Sequence, residues 1–504
     1  MAKNLIFCFD GTCNEPGDAS QSETRSGGLE DSSISNILKL HLLLGGDLKD
    51  GNAHQLPQLS LYYSGVGTYG NKLKRIFNAG LALTDVGRII DDGLKDLRQH
   101  YQSGDKIFVF GFSRGAAIAR RFCSVLSKTD GLKGKRIAML GVFDTVASIG
   151  MPDLHTERRP ASDVIFEDRF ISPNIKQALH LISLDDKRRA FQPTLMNAEE
   201  RVTEVWFAGA HSDVGGGLRR DGLSDNALRY MLDELARRKT GLVTLAPSQV
   251  KFAQINASDK DVQLELDDLI VEPNTFGISH EQSRIWPLSE FLLYDRRAAV
   301  LVNDKVSAKR PQIHHTVAER IYGDDDYRPA SLKAVKHEIL YPDNTRNTFN
   351  NLGHHIQVGM RSLRPLKVGE SRTVPVYAHQ FYNRTGLLLE KGQKYRFKAR
   401  ANQQWKDGGI DCDASGWDRD HPEVGWIKDI AVRSMEPFRR LPDADWFSLI
   451  GAIGDSEQEL FEIANSSTTF TPGHSDEFCP FANDLKRMYA NNDGYIDVTV
   501  TRLA

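Results

Sequence analysis

Residues 106–117 read KIFVFGFSRGAA, and this stretch decides the fold. Lys106–Phe110 is an apolar run of the kind that forms a strand buried on both faces. The pentapeptide GFSRG follows it, and a small-residue segment typical of a closely packed helix comes next. A Gly-x-Ser-x-Gly motif between a strand and a helix forms a sharp turn at the end of a sheet. The stretch therefore predicts Ser113 as a nucleophile at a helix N-terminus, with the amide of Arg114 as an oxyanion donor.

A serine nucleophile needs a base, and the base needs a carboxylate that orients it. Two later apolar runs end in suitable groups: IAMLGVF is followed by Asp144, and VWFAGA is followed by His211. Because the carboxyl ends of parallel strands meet at one edge of a sheet, we expect these groups to converge with Ser113. Asp185, which follows LHLISL, is an alternative acid.

The loop after the first apolar run, NLIFCF, is expected to supply a second oxyanion donor. The amide of Gly11 or of Thr12 is the candidate. Asp10 is an unexpected neighbour for an oxyanion, because its negative charge opposes one. We therefore expect Asp10 to be hydrogen-bonded elsewhere, where it braces this loop or the segment around His211.

Strand and helix patterns alternate up to about residue 345, which predicts a mostly parallel sheet with helices on both faces. Beyond residue 350 the pattern changes to short alternating runs separated by turn signals, which predicts an all-β sandwich. The expected organisation is a catalytic domain over 1–345, a linker over 346–369 that overlaps the polar stretch DNTRNTFNN, and a β-sandwich over 370–504.

Composition excludes several classes of protein. The chain has 504 residues with 64 Lys and Arg against 67 Asp and Glu, so it lacks the basic excess of a nucleic-acid binder. No window reaches the ~18 apolar residues that a transmembrane helix needs. The N-terminus has too short an apolar run for a signal peptide, and the five cysteines form no CxxC pair. We expect synthesis in the cytoplasm, with export by a signal-independent machine left open.

Four segments then carry a resemblance: FDGTCNEP, VFGFSRGAAIARRF, GVFDTVAS and WFAGAHSDVGGG. In this order, and over about residues 1–345, they resemble the α/β-hydrolase family that includes the first class of type VI secretion phospholipase effectors. The resemblance implies phospholipid deacylation by Ser113, Asp144 and His211. It also implies a secretion-apparatus partner, an immunity-protein partner, and delivery to the periplasm or membrane of target cells.

The segment Pro480–Gly494 places Asp484, Asn491 and Asn492 around one loop. Clustered hard oxygen ligands are what Ca²⁺ requires, although composition alone favours a polar turn. The surrounding segments, including GWDRDHPEVGW and NDLKRMYANNDGYIDVTV, resemble the calcium-dependent galactose-binding bacterial lectin over about residues 370–504. The resemblance implies a calcium ion and a sugar site. The implied calcium ligands are Asp407, Asp484, Met488, Asn491 and Asn492, and the implied sugar contacts are His421 and Pro422.

The sequence thus predicts a serine ester hydrolase of the phospholipase A type, with a calcium-binding tail that targets carbohydrate or membrane. Two alternatives remain open. One is a calcium-dependent lectin carried on a non-catalytic hydrolase platform, and the other is a glycan deacetylase. The triad itself requires no cofactor.

Overall fold

The structure, a computed structural model, describes residues 2–11, 33–48, 54, 56–65, 83–147, 170–219, 221–257, 262–280, 293–324, 326–342, 344–358, 363–408, 410–418, 435–454, 457–486, 488–489 and 492–504. The chain divides into two compact units. The first comprises Met1–Ala318 and Tyr327–His355, and the second comprises Glu319–Asp326 and Ile356–Ala504.

A large sheet forms the centre of the first unit. The strands of this unit are β1 Asn4–Phe9, β2 Gln58–Tyr63, β3 Lys106–Phe112, β4 Ile137–Phe143, β5 Ala178–Ser183, β6 Val202–Phe207, β7 Leu301–Val302, β8 Lys305–Val306, β9 Gln312–His314, β10 His337–Leu340 and β11 Arg346–Phe349. Nine of them pair in the order β11-β10-β9-β6-β5-β4-β3-β1-β2, while β7 and β8 form a separate pair. Only β10–β11 is antiparallel in the large sheet, so the predicted mostly parallel sheet is confirmed.

Helices cover both faces of this sheet. The helices in the described part of the chain are α1 Asn36–Leu43, α2 Leu83–His100, α3 Ser113–Lys128, α4 Ser212–Gly215, α5 Gly222–Arg237, α6 Phe252–Asn256, α7 His315–Gly323 and α8 Leu352–Val358. Alternate residues of β1 point to opposite faces, as the period of a strand requires. Phe7 packs in a core with α2 and α3, and Cys8 packs in another with α1 and α5.

The strand ends agree with the sequence pattern at two of three positions. Ser113 directly follows β3, and Asp144 directly follows β4. The third strand, β6, runs over Val202–Phe207 rather than over the expected residues 205–210. The apolar pattern continues to residue 210, but the strand ends earlier, because Gly209, with φ of 99°, turns the chain before His211 is reached.

The expected linker over 346–369 differs from the structure at its beginning. Residues 346–349 form strand β11 on the large sheet, and residues 346–355 group with the first unit. The aromatic ring of Phe349 is 3% exposed, and its centroid lies 4.0 Å from that of His355 and 5.6 Å from that of His337. These buried ring contacts hold a segment that its polar composition assigns to a linker.

The second unit is built from short strands, as its alternating pattern predicts. They are β12 Arg364–Pro365, β13 Ser371–Tyr377, β14 Leu387–Leu389, β15 Tyr395–Ala399, β16 Trp405–Asp407, β17 Ile410–Cys412, β18 Leu449–Ala452, β19 Leu460–Glu462, β20 Ser467–Phe470, β21 Asp476–Glu477, β22 Phe481–Ala482 and β23 Asn492–Arg502. They form three sheets over an apolar core that includes Phe397, Trp405 and Val498. The sandwich arrangement of these sheets stays a prediction.

Within the described ranges, every helix is either too short or too polar to cross a bilayer.

Candidate active site

The nucleophile turn joins β3 directly to α3, so that Phe112 ends the strand and Ser113 begins the helix. Ser113 has φ of 56°, in the left-handed region that residues with a Cβ rarely adopt. A Cβ added at Gly111 would lie 2.6 Å from the carbonyl oxygen of Gly115, which only a glycine at this position avoids. The turn therefore has the strained, tightly packed form that the motif predicts.

The imidazole of His211 is paired with the carboxylate of Asp144. Nδ1 of His211 lies 2.5 Å from Oδ2 of Asp144, and both residues are buried. An ionised carboxylate accepts hydrogen bonds and donates none, so the proton of the neutral imidazole is on Nδ1. Nε2 is then the atom that accepts a proton, and it has no hydrogen-bond partner among the described residues, Ser113 included.

Two aromatic rings fix the plane of the imidazole. The ring of Phe112 lies 4.7 Å from that of His211, and the ring of Phe191 lies 4.9 Å from it on an edge. Phe112 directly precedes Ser113, so the imidazole packs beside the nucleophile turn. The short helix α4 directly follows His211. The base is therefore held by packing and is 4% exposed.

A buried arginine, Arg296, also binds Asp144. Its guanidinium donates to Oδ1 of Asp144 at 2.7 Å and to Oδ2 at 2.9 Å, and the amide of Ser183 donates to Oδ1 at 3.0 Å. Burial disfavours the charge of Asp144, but Arg296 and His211 outweigh burial and lower the pKa of this carboxyl well below its ordinary value. Asp144 is thus held as an anion with a fixed orientation.

The alternative acid, Asp185, contacts other groups. Its Oδ2 accepts hydrogen bonds from the amide of Gly209 and from the hydroxyl of Tyr327, both at 2.7 Å. The structure therefore places Asp144, and not Asp185, against the His211 ring. Asp185 instead braces the turn at Gly209 that precedes His211.

A third carboxylate near the base, Asp186, was not singled out from the sequence. Its Oδ2 accepts the backbone amide of His211 at 3.2 Å and pairs with the guanidinium of Arg188 at 2.6 Å. Burial disfavours the charge of Asp186, yet the hydrogen bond from Arg188 and the charge of Arg296 lower its pKa. Asp186 therefore fixes the backbone of the base, whereas Asp144 fixes its ring.

The predicted oxyanion donors have different surroundings. Arg114 is the second residue of α3, so its amide belongs to the first helical turn, whose N–H groups have no acceptor within the helix. The amide of Gly11 instead donates to Oδ1 of Asp10 at 2.6 Å. Because that N–H is already bonded, the assignment of Gly11 as an oxyanion donor is not supported by this arrangement. Thr12 lies outside the described residues.

The expectation that Asp10 is hydrogen-bonded elsewhere is confirmed. Its Oδ2 accepts the hydroxyl groups of Ser35 and Tyr62, both at 2.6 Å. Ser35 caps α1 and forms a β-bridge with Gly216, which directly follows α4. Asp10 is thus connected to the segment that carries His211.

Part of the expected calcium site is described in the second unit. Asn492 Nδ2 donates to Oδ2 of Asp484 at 3.0 Å, and Asp407 lies opposite Asn492 in the β16–β23 ladder. The side-chain oxygen of Asn492 is buried and has no hydrogen-bond donor in the part of the chain that the structure describes. An unpaired buried amide oxygen beside a carboxylate fits a cation with a preference for oxygen ligands.

The other calcium and sugar positions add little. Oδ2 of Asp407 accepts the indole N–H of Trp417 at 3.0 Å, and Met488 is 48% exposed. The remaining predictions, Asn491, His421 and Pro422, lie outside the described residues. Within the described ranges, no group of three or more His, Cys, Asp and Glu side chains is placed to hold a metal ion.

The comparisons with known proteins concern mainly the first unit. Residues 3–134 and 127–234 match the family model described as the catalytic domain of Tle1-like phospholipase effectors of the type VI secretion system. The matched residues include Ser113, Asp144 and His211 but not Arg296. The match supports the resemblance drawn from the N-terminal motifs.

The chain is also similar to one curated protein, the uncharacterized protein YEL023C of Saccharomyces cerevisiae. The two are 28% identical over 349 residues, which cover 56% of this chain and 47% of the relative. The chain therefore spans about half the length of the curated relative that it matches.

Two solved structures are also similar to parts of the chain. The Tle1 effector bound to the VgrG spike is 24% identical, with 43% of this chain and 51% of that chain covered and a TM-score of 0.29. The N-terminal domain of EclA, described as a PllA-like lectin, is 19% identical, with 26% of this chain and 94% of that chain covered and a TM-score of 0.19. Both TM-scores are low, so neither structure indicates the chemistry of this chain. The family match therefore shows that the N-terminal part of this chain is similar to the catalytic domain of phospholipase effectors.

Proposed function

We propose that the chain is a serine ester hydrolase that deacylates phospholipids, with Ser113, His211 and Asp144 as its triad. The observation that carries the proposal is the buried pair of His211 and Asp144 beside a strained serine at a strand–helix turn. Nε2 of His211, which has no hydrogen-bond partner in the described part of the chain, is the expected proton acceptor. The phospholipid substrate is inferred from the matched family model.

In the proposed reaction, Oγ of Ser113 attacks the carbonyl carbon of an ester while Nε2 of His211 takes its proton. The amide of Arg114, at the positive end of α3, stabilises the oxyanion that forms. The tetrahedral intermediate collapses, and His211 gives the proton to the leaving alcohol, a lysophospholipid. Water then attacks the acyl-serine with His211 as base, which releases a fatty acid and restores Ser113.

The proposal is tested by lipid analysis after incubation of mixed phospholipid vesicles with the full chain. Fatty acid and lysophospholipid should appear with the wild type and not with Ser113→Ala. Ser127→Ala is a matched control, because Ser127 lies in the same helix, where its hydroxyl donates to the carbonyl of Ser124 and accepts from the hydroxyl of Ser172. Equal product from wild type and Ser113→Ala would exclude this nucleophile. Release of acetate from acetylated glycans, without fatty acid from vesicles, would instead favour a deacetylase.

We also propose that the second unit binds Ca²⁺ and that the ion supports recognition of a sugar or a membrane surface. Asp484, Asn491 and Asn492 would hold it by side-chain oxygen and Met488 by its carbonyl oxygen, with Asp407 as a further ligand. The supporting observation is the unpaired buried oxygen of Asn492. When bound, a calcium ion offers further coordination positions to ligand hydroxyl groups.

Delivery by a type VI secretion apparatus is part of the same proposal. It is inferred from the matched family model and from the solved effector, whose structure contains the VgrG spike. Co-purification of the full chain with a spike protein tests it, and absence of the complex at micromolar concentrations would count against this route.

A further inference from the structure

We propose that Arg296 is a positioning residue of the active site, which sets the orientation and the effective charge of Asp144. This inference rests on the proposed function of Ser113, His211 and Asp144. Arg296 lies outside the residues that the family model matches, and no sequence motif marks it.

The hydrogen bonds of Arg296 fit a role in positioning the carboxylate of Asp144 rather than a general structural role. Its two terminal nitrogens donate to the two oxygens of Asp144 at 2.7 and 2.9 Å, in the planar fork that arginine forms with a carboxylate. They also donate to the carbonyl oxygens of Ser183, at 2.7 Å, and of Phe191. The side chain of Arg296 is fully buried, so this contact is not weakened by water.

The fork leaves Asp144 a single way to face the base. Oδ1 is taken by Arg296 and by the amide of Ser183, while Oδ2 is shared by Arg296 and Nδ1 of His211. A carboxylate held at both oxygens cannot rotate away from the imidazole. Orientation of the base by such contacts is what makes a triad effective.

The positive charge of Arg296 has a second effect. Asp144 stabilises the imidazolium that forms when His211 takes a proton, and a guanidinium on the same carboxylate reduces that stabilisation. Removing the guanidinium should therefore strengthen the attraction between Asp144 and the imidazolium. Asp185 and Asp186 also face Arg296, and Asp186, which accepts the backbone amide of His211, is paired with Arg188. Asp144 is the carboxylate that contacts both the guanidinium of Arg296 and the imidazole ring of His211.

The test compares the pH profiles of labelling of Ser113 by a fluorophosphonate, in which Oγ displaces fluoride from phosphorus. Arg296→Gln removes the charge, and Arg296→Lys keeps the charge but not the fork. We expect Arg296→Gln to label roughly ten-fold more slowly or worse, with the acid limb of the profile about one pH unit higher. Arg296→Lys should label more slowly by the same factor at every pH, with the acid limb near that of the wild type.

A matched control separates these effects from a loss of folding. Arg201 donates to the carbonyl oxygens of Ile171, Ser172 and Ile175 and pairs with Glu199, without contact to Asp144. Arg201→Gln should lower the melting temperature and leave the acid limb in place. Melting curves of all variants identify any that fail to fold.

Three outcomes overturn the inference. The first is an unchanged acid limb in folded Arg296→Gln. The second, which decides the matter if Arg296→Gln does not fold, is wild-type labelling by Arg296→Lys. The third is absence of labelling in the wild type, which overturns the proposed function as well. The first two outcomes leave wild-type labelling intact, so failure of the inference is distinguishable from failure of the function.

Discussion

A Cβ added at Gly115 would lie 2.1 Å from the carbonyl oxygen of Asp10 and 2.4 Å from that of Phe9, so the nucleophile helix begins in direct contact with the end of β1. Both oxygens belong to the backbone, so they cannot move away by a change of side-chain rotamer. We predict that Gly115→Ala lowers the free energy of unfolding by about 1–3 kcal/mol, the range for overpacking.

Urea unfolding measures this effect, and Gly87→Ala is its control. Gly87 lies in α2 with no atom within 4 Å of an added Cβ, so alanine there should stabilise the helix by ~0.5–1 kcal/mol. Equal effects of the two substitutions would show that the contact with Asp10 is unimportant.

A pair of substitutions distinguishes Asp144 from Asp185 as the acid of the triad. Asp144→Asn keeps the shape of the acid but removes the charge that faces His211, so we predict a fall in Ser113 labelling by ~10³–10⁴. Asp185→Asn alters the contacts with Gly209 and Tyr327 and leaves the carboxylate that faces the His211 ring in place, so its effect on labelling should be far smaller. The reverse order of effects would transfer the acid role to Asp185.

Asp10 should give the stability of the chain a pH dependence in weakly acidic solution. Burial raises the pKa of its carboxyl to about 6, although the hydrogen bonds from Ser35, Tyr62 and Gly11 lower it. A raised carboxyl pKa means that the folded state binds its proton more tightly. The resulting stabilisation is fully present below about pH 4 and is lost as the pH rises through about 6.

Unfolding titrations between pH 4 and 7 measure this contribution, which we expect to be of the order of 2–3 kcal/mol. Asp10→Asn should remove it. Tyr62→Phe deletes a hydrogen bond to the ionised carboxylate, so it should move the upper end of the window to higher pH. A wild-type pH profile in Asp10→Asn would contradict the assignment.

Calcium should stabilise the second unit. At a Ca²⁺ concentration of ~100 times Kd, binding adds ~2.7 kcal/mol to stability, which a thermal scan with and without chelator detects. Asn492→Leu should abolish the shift, because it removes the unpaired oxygen. Asp493→Asn is the matched control, since exposed Asp493 accepts the amide of Gly494 and, among the described residues, makes no side-chain hydrogen bond with Asp484 or Asn492, so the variant should keep the shift. No difference between calcium and chelator in the wild type would refute the site.

Local sequence patterns predicted the elements well where the chain itself dictates them. The turn at Ser113 and the strand that ends before Asp144 follow from a buried apolar run and from glycines that leave no space for a Cβ. The end of β6 was misplaced because VWFAGA stays apolar through a turn that Gly209 makes.

Contacts between distant segments could not be read from the sequence. Arg296 is separated from Asp144 by 152 positions, and its neighbours, YDRRAAV, match no motif. The choice between Asp144 and Asp185 also depended on the turns after adjacent strands, since each acid follows an apolar run. Only the three-dimensional arrangement shows which carboxylate reaches the base.

The left-handed backbone at Ser113 has a consequence for how this position tolerates change. A residue with a Cβ at such an angle costs of the order of 1–3 kcal/mol, which glycine avoids. Selection of random variants for thermal stability would therefore favour Ser113→Gly, which is more stable but lacks the nucleophilic hydroxyl. Thermal stability and catalytic activity therefore place opposite demands on residue 113. A screen for thermostable variants of this protein has to be paired with a screen for turnover.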